Sequence, residues 1–247
     1  MKATVRPGPD HAYLRSNPLG SHTARVVRAL GHGIVSGRYP QHSLLPGDAE
    51  LMAEFGVSRT VLREALKTLS GKGLVRAKAR IGTSVRERAD WNLFDPDVLI
   101  WHADIGFDGD FIRALGEMRL ALEPEAAALA AERATPEQVE TITAWADSMA
   151  KTDASREFVE ADLHFHLAVA VAAGNPFLRA ISTLIEVALV AALTRSSPVD
   201  EPGGVLHSAA AHRAIADAIA RRDPDAARAA MRVVVAEGVA RGTPPTH

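Results

Sequence analysis

Between Asp110 and Arg241 the chain is rich in Ala and Leu, and its apolar residues recur three and four positions apart with no stretch of strict alternation. A run of that length can bury its apolar stripes only by packing helix on helix, which makes this part an all-α bundle. Helix stops and starts fall near Thr135–Pro136, Asp153–Ser155, Asn175–Pro176, Ser196–Gly204 and Asp223–Pro224. These breaks divide the run into roughly six helices. Asn175 before Pro176 is the ordinary signal of a turn followed by a new helix.

The N-terminal part has a different texture. Residues 1–20, rich in Pro, Gly and Ser, are expected to be a flexible tail. A first helix spans His22 to Ser36, with Val26, Val27, Leu30 and Ile34 as its stripe and Gly37 as its stop. A second begins at Asp48 and ends at Gly56, and a third is capped by Ser58 and runs to about Ser70. LVRAKARIGTSVRER then predicts two short strands joined by a basic turn at Lys78–Gly82. The expected fold is mainly α: a winged helix-turn-helix over residues 21–88, a linker over 89–109 anchored by Trp91 and Trp101, and a helical domain over 110–242.

Charge divides along the same line. Through Arg88 there are 15 Lys and Arg against 6 Asp and Glu, and beyond it 13 against 24. A balance of +9 fits a polyanion such as DNA, and one of −11 does not. The chain has no cysteine, which excludes a disulfide framework, a thiolate metal site and a cysteine nucleophile. The N-terminal residues lack the apolar segment of a secretion signal. The most apolar run, Leu184–Leu193, is short and interrupted by Glu186, so a membrane span is not expected and a cytoplasmic location is.

On the third helix Leu62, Ala65, Leu66 and Leu69 form an apolar stripe, and Arg59, Thr60, Arg63 and Lys67 lie opposite. A short helix, a turn carrying Gly56 and a basic second helix make a helix-turn-helix, whose second helix enters the major groove at its N-terminal end. Arg59 and Arg63 then reach phosphates or guanine edges, and Ser58 and Thr60 reach phosphate oxygens. Lys78 and Arg80 of the wing, with Gly82 permitting close approach, touch the backbone or the adjacent minor groove. Any one of these arginines taken alone is an ordinary wet surface residue; the pattern, the charge surplus and the wing together point to DNA.

In the helical part DLHFH places Asp162 and His166 four residues apart on one helix face, among Phe158, Leu163, Phe165 and Val169. A carboxylate and an imidazole on an apolar stripe need each other, a third partner or a ligand. His164 points elsewhere. His212, near Ile215 and Ile219, is the third candidate; the trio suits Zn, Ni, Mn or Fe, although a satisfied core pair is the commoner arrangement. Arg119, flanked by Met118, Leu120 and Leu122, wants a carboxylate: either Glu123 one turn on or an effector. Arg195 is a second pocket residue or a solvated helix end.

LLPGDAELMAEFGVSRTVLREALKTLSGKGLV resembles the winged helix-turn-helix of the GntR family of bacterial repressors. RLALEPEAAALAAERAT, EADLHFHLAVAVAAGNPFL and HRAIADAIARRDPDAARAAM resemble the FCD-type ligand-sensing domain of its FadR subfamily, and the likeness runs from about Ala24 to Val235. WNLFDPDVLIW followed by EMRLALEPEAA is similar to regulators of galactonate and related sugar-acid catabolism. Two departures stand out. Ala49 occupies a place where the family often has a DNA-contacting arginine, which shifts base reading onto Arg59, Arg63 and the wing. Many members bind a divalent metal, which can hold a carboxylate effector, through one aspartate and three histidines. Asp162, His166 and His212 match three of these ligands, and Val234 stands at the fourth, with His207 as a possible substitute.

The resemblance implies a homodimeric repressor on a near-palindromic operator, released when a small carboxylate or sugar acid binds Arg119, Asp162, His166 and His212, with a Zn, Ni or Mn ion at the trio; Arg195 is a further candidate for the effector pocket by its position alone. Two other readings stay open: a helical metalloenzyme using the trio, and an architectural DNA-binding dimer without an effector.

Overall fold

The computed structural model describes residues 21–242 except 79, 107, 153–154, 182–186, 188–197 and 201. The chain forms two compact units, one ending at Gly106 and the other beginning at Phe107.

In the first unit α1 (His22–Val35), α2 (Asp48–Phe55) and α3 (Arg59–Gly71) precede β1 (Val75–Lys78) and β2 (Gly82–Val85). The Ser21 side chain caps α1. Gly56 ends α2 in the left-handed region (φ 62°), and Ser58 Oγ accepts the Val61 amide to start α3. The two strands pair antiparallel, with Val75 opposite Val85 and Lys78 opposite Gly82. An extended segment joins the far edge of β2 through Leu45 N to Thr83 O (2.8 Å) and Val85 N to Ser43 O (2.9 Å). Val26, Leu30, Leu51, Leu62, Leu69 and Leu74 fill the core between the helices and the wing.

The stretch expected as a linker is folded. A 3₁₀ turn at Arg88–Asp90 leads into α4 (Pro96–Ile105), which Asp95 caps with Pro96 at its first turn. Trp91 and Trp101 are both buried, and Val98 and Trp101 join the winged-helix core. The fit is tight, because a β-carbon on Gly31 would fall 2.3 Å from the Trp101 ring. Lys72 at the end of α3 bridges Asp95 (2.7 Å) and Asp97 (2.8 Å), so this lysine secures α4 and is not presented to a partner.

The second unit contains α5 (Gly109–Arg133), α6 (Pro136–Met149), α7 (Ser155–Ala172), α8 (Pro176–Ala180), α9 (Gly204–Ala220) and α10 (Pro224–Gly242). Pro136, Pro176 and Pro224 each begin a helix where the sequence places a break. Thr135 and Gln138 form a reciprocal capping box on α6, and Asn175 caps α8. Alanines let the helices approach closely: Ala127, Ala130 and Ala131 of α5 pack in one core with Phe158, Phe165, Ile215, Ile219 and Val235. Among the described residues no helix is long and apolar enough to cross a membrane.

Candidate functional site

Among the described residues six polar side chains are buried in the helical unit: Arg119, Glu123, Asp162, His166, Ser208 and His212. Each belongs to a helix whose apolar stripe carries it inward. Arg119 and Glu123 lie one turn apart on α5, Asp162 and His166 one turn apart on α7, and Ser208 and His212 one turn apart on α9. The Phe165 ring stands nearly perpendicular to both imidazoles, with its centroid 5.7 Å from that of His166 and 5.0 Å from that of His212.

The partners assign the protons. His212 Nδ1 lies 2.7 Å from the Ser208 carbonyl, which can only accept, so Nδ1 carries the hydrogen and Nε2 the lone pair. His166 Nδ1 lies 2.5 Å from Glu123 Oε2. That approach is off the axis of the ring N–H, so the contact is electrostatic and not an aligned hydrogen bond. It still places the hydrogen on Nδ1 and the lone pair on Nε2. The two Nε2 atoms stand 3.4 Å apart, with Asp162 Oδ1 3.0 Å from that of His212. Donor atoms of Asp162, His166 and His212 all fall within 4.8 Å of one another.

Lone pairs of three groups that face one another repel unless a cation, a proton or a metal, lies between them. The arrangement therefore fits a metal. The donors are nitrogen and oxygen, each ring is oriented by a partner on its other nitrogen, and Glu123 backs His166 as carboxylates back metal-bound histidines. Burial pushes the Asp162 carboxyl up, but when a proton stands in for that cation on His212 Nε2, its hydrogen bond and the charge it brings outweigh burial and hold the carboxyl below the usual carboxylate range. Burial likewise raises the Glu123 carboxyl, and Arg119 and His166 overcome this to bring it down to about 2.

Arg119 takes the nearer of the two partners open to it. Its Nε donates to Glu123 Oε1 and its Nη2 lies 3.4 Å from Glu123 Oε2, with both side chains buried. Nη1 lies beside Gly238, 3.9 Å from where a β-carbon would stand. Val234 is buried in the apolar core. His207 is two-thirds exposed and pairs with Glu237 at 3.2 Å, away from the trio, so it does not replace the missing fourth ligand. His164 stacks on Trp145. Arg195 lies outside the described residues. Sequence reading missed two contributors. Glu123 was visible only as a partner for Arg119, and its contact with His166 joins residues 43 positions apart. Ser208 acts through its backbone carbonyl, which leaves no signal in the sequence.

In the first unit Ser58, Arg59, Thr60, Arg63 and Lys67 are all exposed along α3, and Leu62, Ala65 and Leu69 are buried beneath them. Among the described residues Arg59, Arg63 and Lys67 form no ion pair, whereas Arg38 and Lys72 do. Lys78, Arg80 and Gly82 surround the wing tip, with Arg80 at φ 62° and Gly82 at φ 122°. Arg76, also exposed and two residues before Lys78 on the same strand face, extends the cationic row. Strand alternation would have found it. Ala49 is exposed at the first turn of α2.

Residues 22–85 match the family model described as bacterial regulatory proteins, gntR family, and residues 114–237 match the FCD domain. The chain belongs to the GntR family. The galactonate operon transcriptional repressor of Escherichia coli (strain K12) is 37% identical over 220 residues, covering 89% of this chain and 96% of that protein. The HTH-type transcriptional repressor NanR of the same strain is 33% identical over 233 residues, covering 89% of this chain and 84% of its own. The solved structure of Lar, which controls the expression of the Listeria monocytogenes agr system, has a TM-score of 0.59 at 19% identity. It covers 92% of this chain and 98% of its own, a likeness of fold alone. This GntR-family chain is thus a DNA-binding transcriptional regulator with a domain for a small-molecule effector, and not a metalloenzyme.

Proposed function

We propose that the chain is a homodimeric repressor of sugar-acid catabolism that leaves a near-palindromic operator when an aldonic acid or similar small carboxylate binds the helical domain. The observation that carries this is the buried trio in a GntR-family chain whose relative is a galactonate operon repressor. α3 reads the major groove through Arg59 and Arg63, with Ser58, Thr60 and Lys67 on phosphates and Lys78, Arg80 and Gly82 at the wing. A twofold dimer presents two such helices and so matches an inverted repeat.

In the sensor, Asp162, His166 and His212 would hold a divalent Zn, Ni or Mn ion. The ion supplies Lewis-acid positions for the effector's carboxylate and hydroxyl groups. The chain does the rest. The Ser208 carbonyl and Glu123 hold the imidazole hydrogens away from the centre, and the apolar shell excludes water. Val234 in place of a fourth ligand would leave a position on the ion for the effector, and Arg119 borders the same cluster through its pair with Glu123, which touches His166. Release of DNA requires the effector to favour one arrangement of the dimer over another.

The test follows fluorescence anisotropy of labelled duplex from the region upstream of the chain's own coding sequence, alongside thermal unfolding. Aldonates are added after chelation and again with Zn²⁺. Galactonate should raise the unfolding midpoint and release the duplex, with both effects depending on the metal. If no acid in the panel changes either readout, the architectural DNA-binding dimer is the better account.

A further inference from the structure

We infer that Glu123 sets the charge of the effector, so that this sensor accepts a monoanion and rejects the dianion of the same skeleton. The inference rests on the reading that a divalent cation and a carboxylate meet at the trio, and it adds a selection rule that the trio alone does not contain.

Among the described residues, the formally charged side chains buried in the helical unit are Arg119, Glu123 and Asp162. The imidazoles bring no charge as donors. Arg119 and Glu123 are one turn apart on α5, both about 3% exposed, and paired through two guanidinium nitrogens and both carboxylate oxygens. Within the cluster they cancel. Asp162 then stands as one negative charge in an apolar core, and a divalent cation on the trio turns that deficit into one surplus positive charge. Burying a net charge is costly, so the pocket completes itself with a single negative charge. An aldonate supplies one. An aldarate, with a carboxylate at each end, brings a second for which no unpaired buried cation remains among the described residues. Without Glu123, Arg119 would be that cation. Glu123 also touches His166 Nδ1 at 2.5 Å, so the residue that neutralises Arg119 is tied to a trio ligand and cannot swing away from it at no cost.

The experiment compares galactonate with galactarate by thermal unfolding and titration calorimetry on the full chain with Zn²⁺. Wild type should prefer galactonate by more than about tenfold. In Glu123→Gln the amide oxygen can still face His166 while the charge is gone, and the preference should narrow or reverse toward galactarate. The zinc-dependent midpoint shift, read without acid, reports whether the trio is intact in that variant. In the double variant Arg119→Met with Glu123→Gln, both charges disappear together and the preference for galactonate should return. Equal binding of the two acids by wild type overturns the inference. So does an unchanged preference in a folded, zinc-responsive Glu123→Gln. If Glu123→Gln does not fold, the wild-type comparison and the double variant, which buries no unpaired charge, decide the matter: loss of preference in the double variant overturns it. If wild type with Zn²⁺ binds neither acid, the proposed effector itself is wrong and the selection rule falls with it.

Discussion

At the scale of single residues, what separates His166 and His212 from His207 is their partners rather than their type. His166 and His212 each have a fixed partner on Nδ1 and present Nε2 to the same point, whereas His207 faces solvent and Glu237. Asp162→Asn and His212→Ala should each abolish the rise in unfolding midpoint that Zn²⁺ produces. His207→Ala should leave that rise intact and change stability by less than about 0.5 kcal/mol; a lost zinc response in His207→Ala would place the ion elsewhere. Glu123 makes a second prediction. Its folded pKa of about 2 lies below the unfolded value of 4.5, so it stabilises the fold fully above pH 4.5. That contribution is lost as pH falls from 4.5 toward 2. In chemical denaturation between pH 6 and pH 3, wild type should lose more stability than the Arg119→Met, Glu123→Gln double variant, which has no such group to protonate. Equal pH dependence in the two proteins would show that Glu123 is not held ionised.

At the scale of elements, the helix-turn-helix was legible because its signals are local: an apolar stripe at helical spacing, a glycine in the left-handed turn and a serine cap. Ser58→Ala should cost about 1 kcal/mol of stability, measured by denaturant unfolding. α4 was the element that sequence reading passed over as linker, although Asp95–Pro96 is a helix start and the two tryptophans were read as anchors. Ten residues between two larger patterns have too few turns to show a periodicity, and the partner that makes α4 necessary, Gly31, lies 70 positions from Trp101. Gly31→Ala places a methyl 2.3 Å from that ring and should destabilise the first unit by about 1–3 kcal/mol. An unaltered unfolding midpoint would mean that Trp101 can move aside freely. In the sensor, the i, i+4 pairs on α5 and α7 were legible, because they lie on single helices. The link between Glu123 and His166 was not, because it exists only once α5 and α7 are packed together.

At the scale of the whole molecule, the main hydrophobic core of each unit among the described residues gives the chain two places to lose its structure. A fragment of residues 21–106 retains α4 and the Asp95 and Asp97 partners of Lys72, and it should unfold cooperatively. A fragment of residues 21–88 loses Trp101 as well as both salt bridges and should be markedly less stable in urea. Similar midpoints for the two fragments would make α4 dispensable. In the full chain, Zn²⁺ should raise the transition of the helical unit.

The burial of the trio also governs time. Asp162, His166 and His212 are 5%, 2% and 2% exposed, so an ion or acid that binds them as proposed would not reach them by collision with the surface. Entry would then wait for the helices to part, and such openings follow local stability rather than what is in solution. Stopped-flow loading rates should therefore rise with ligand concentration and then level off at the opening rate. A regulator built this way averages over brief fluctuations in its signal and answers only those that outlast its own breathing.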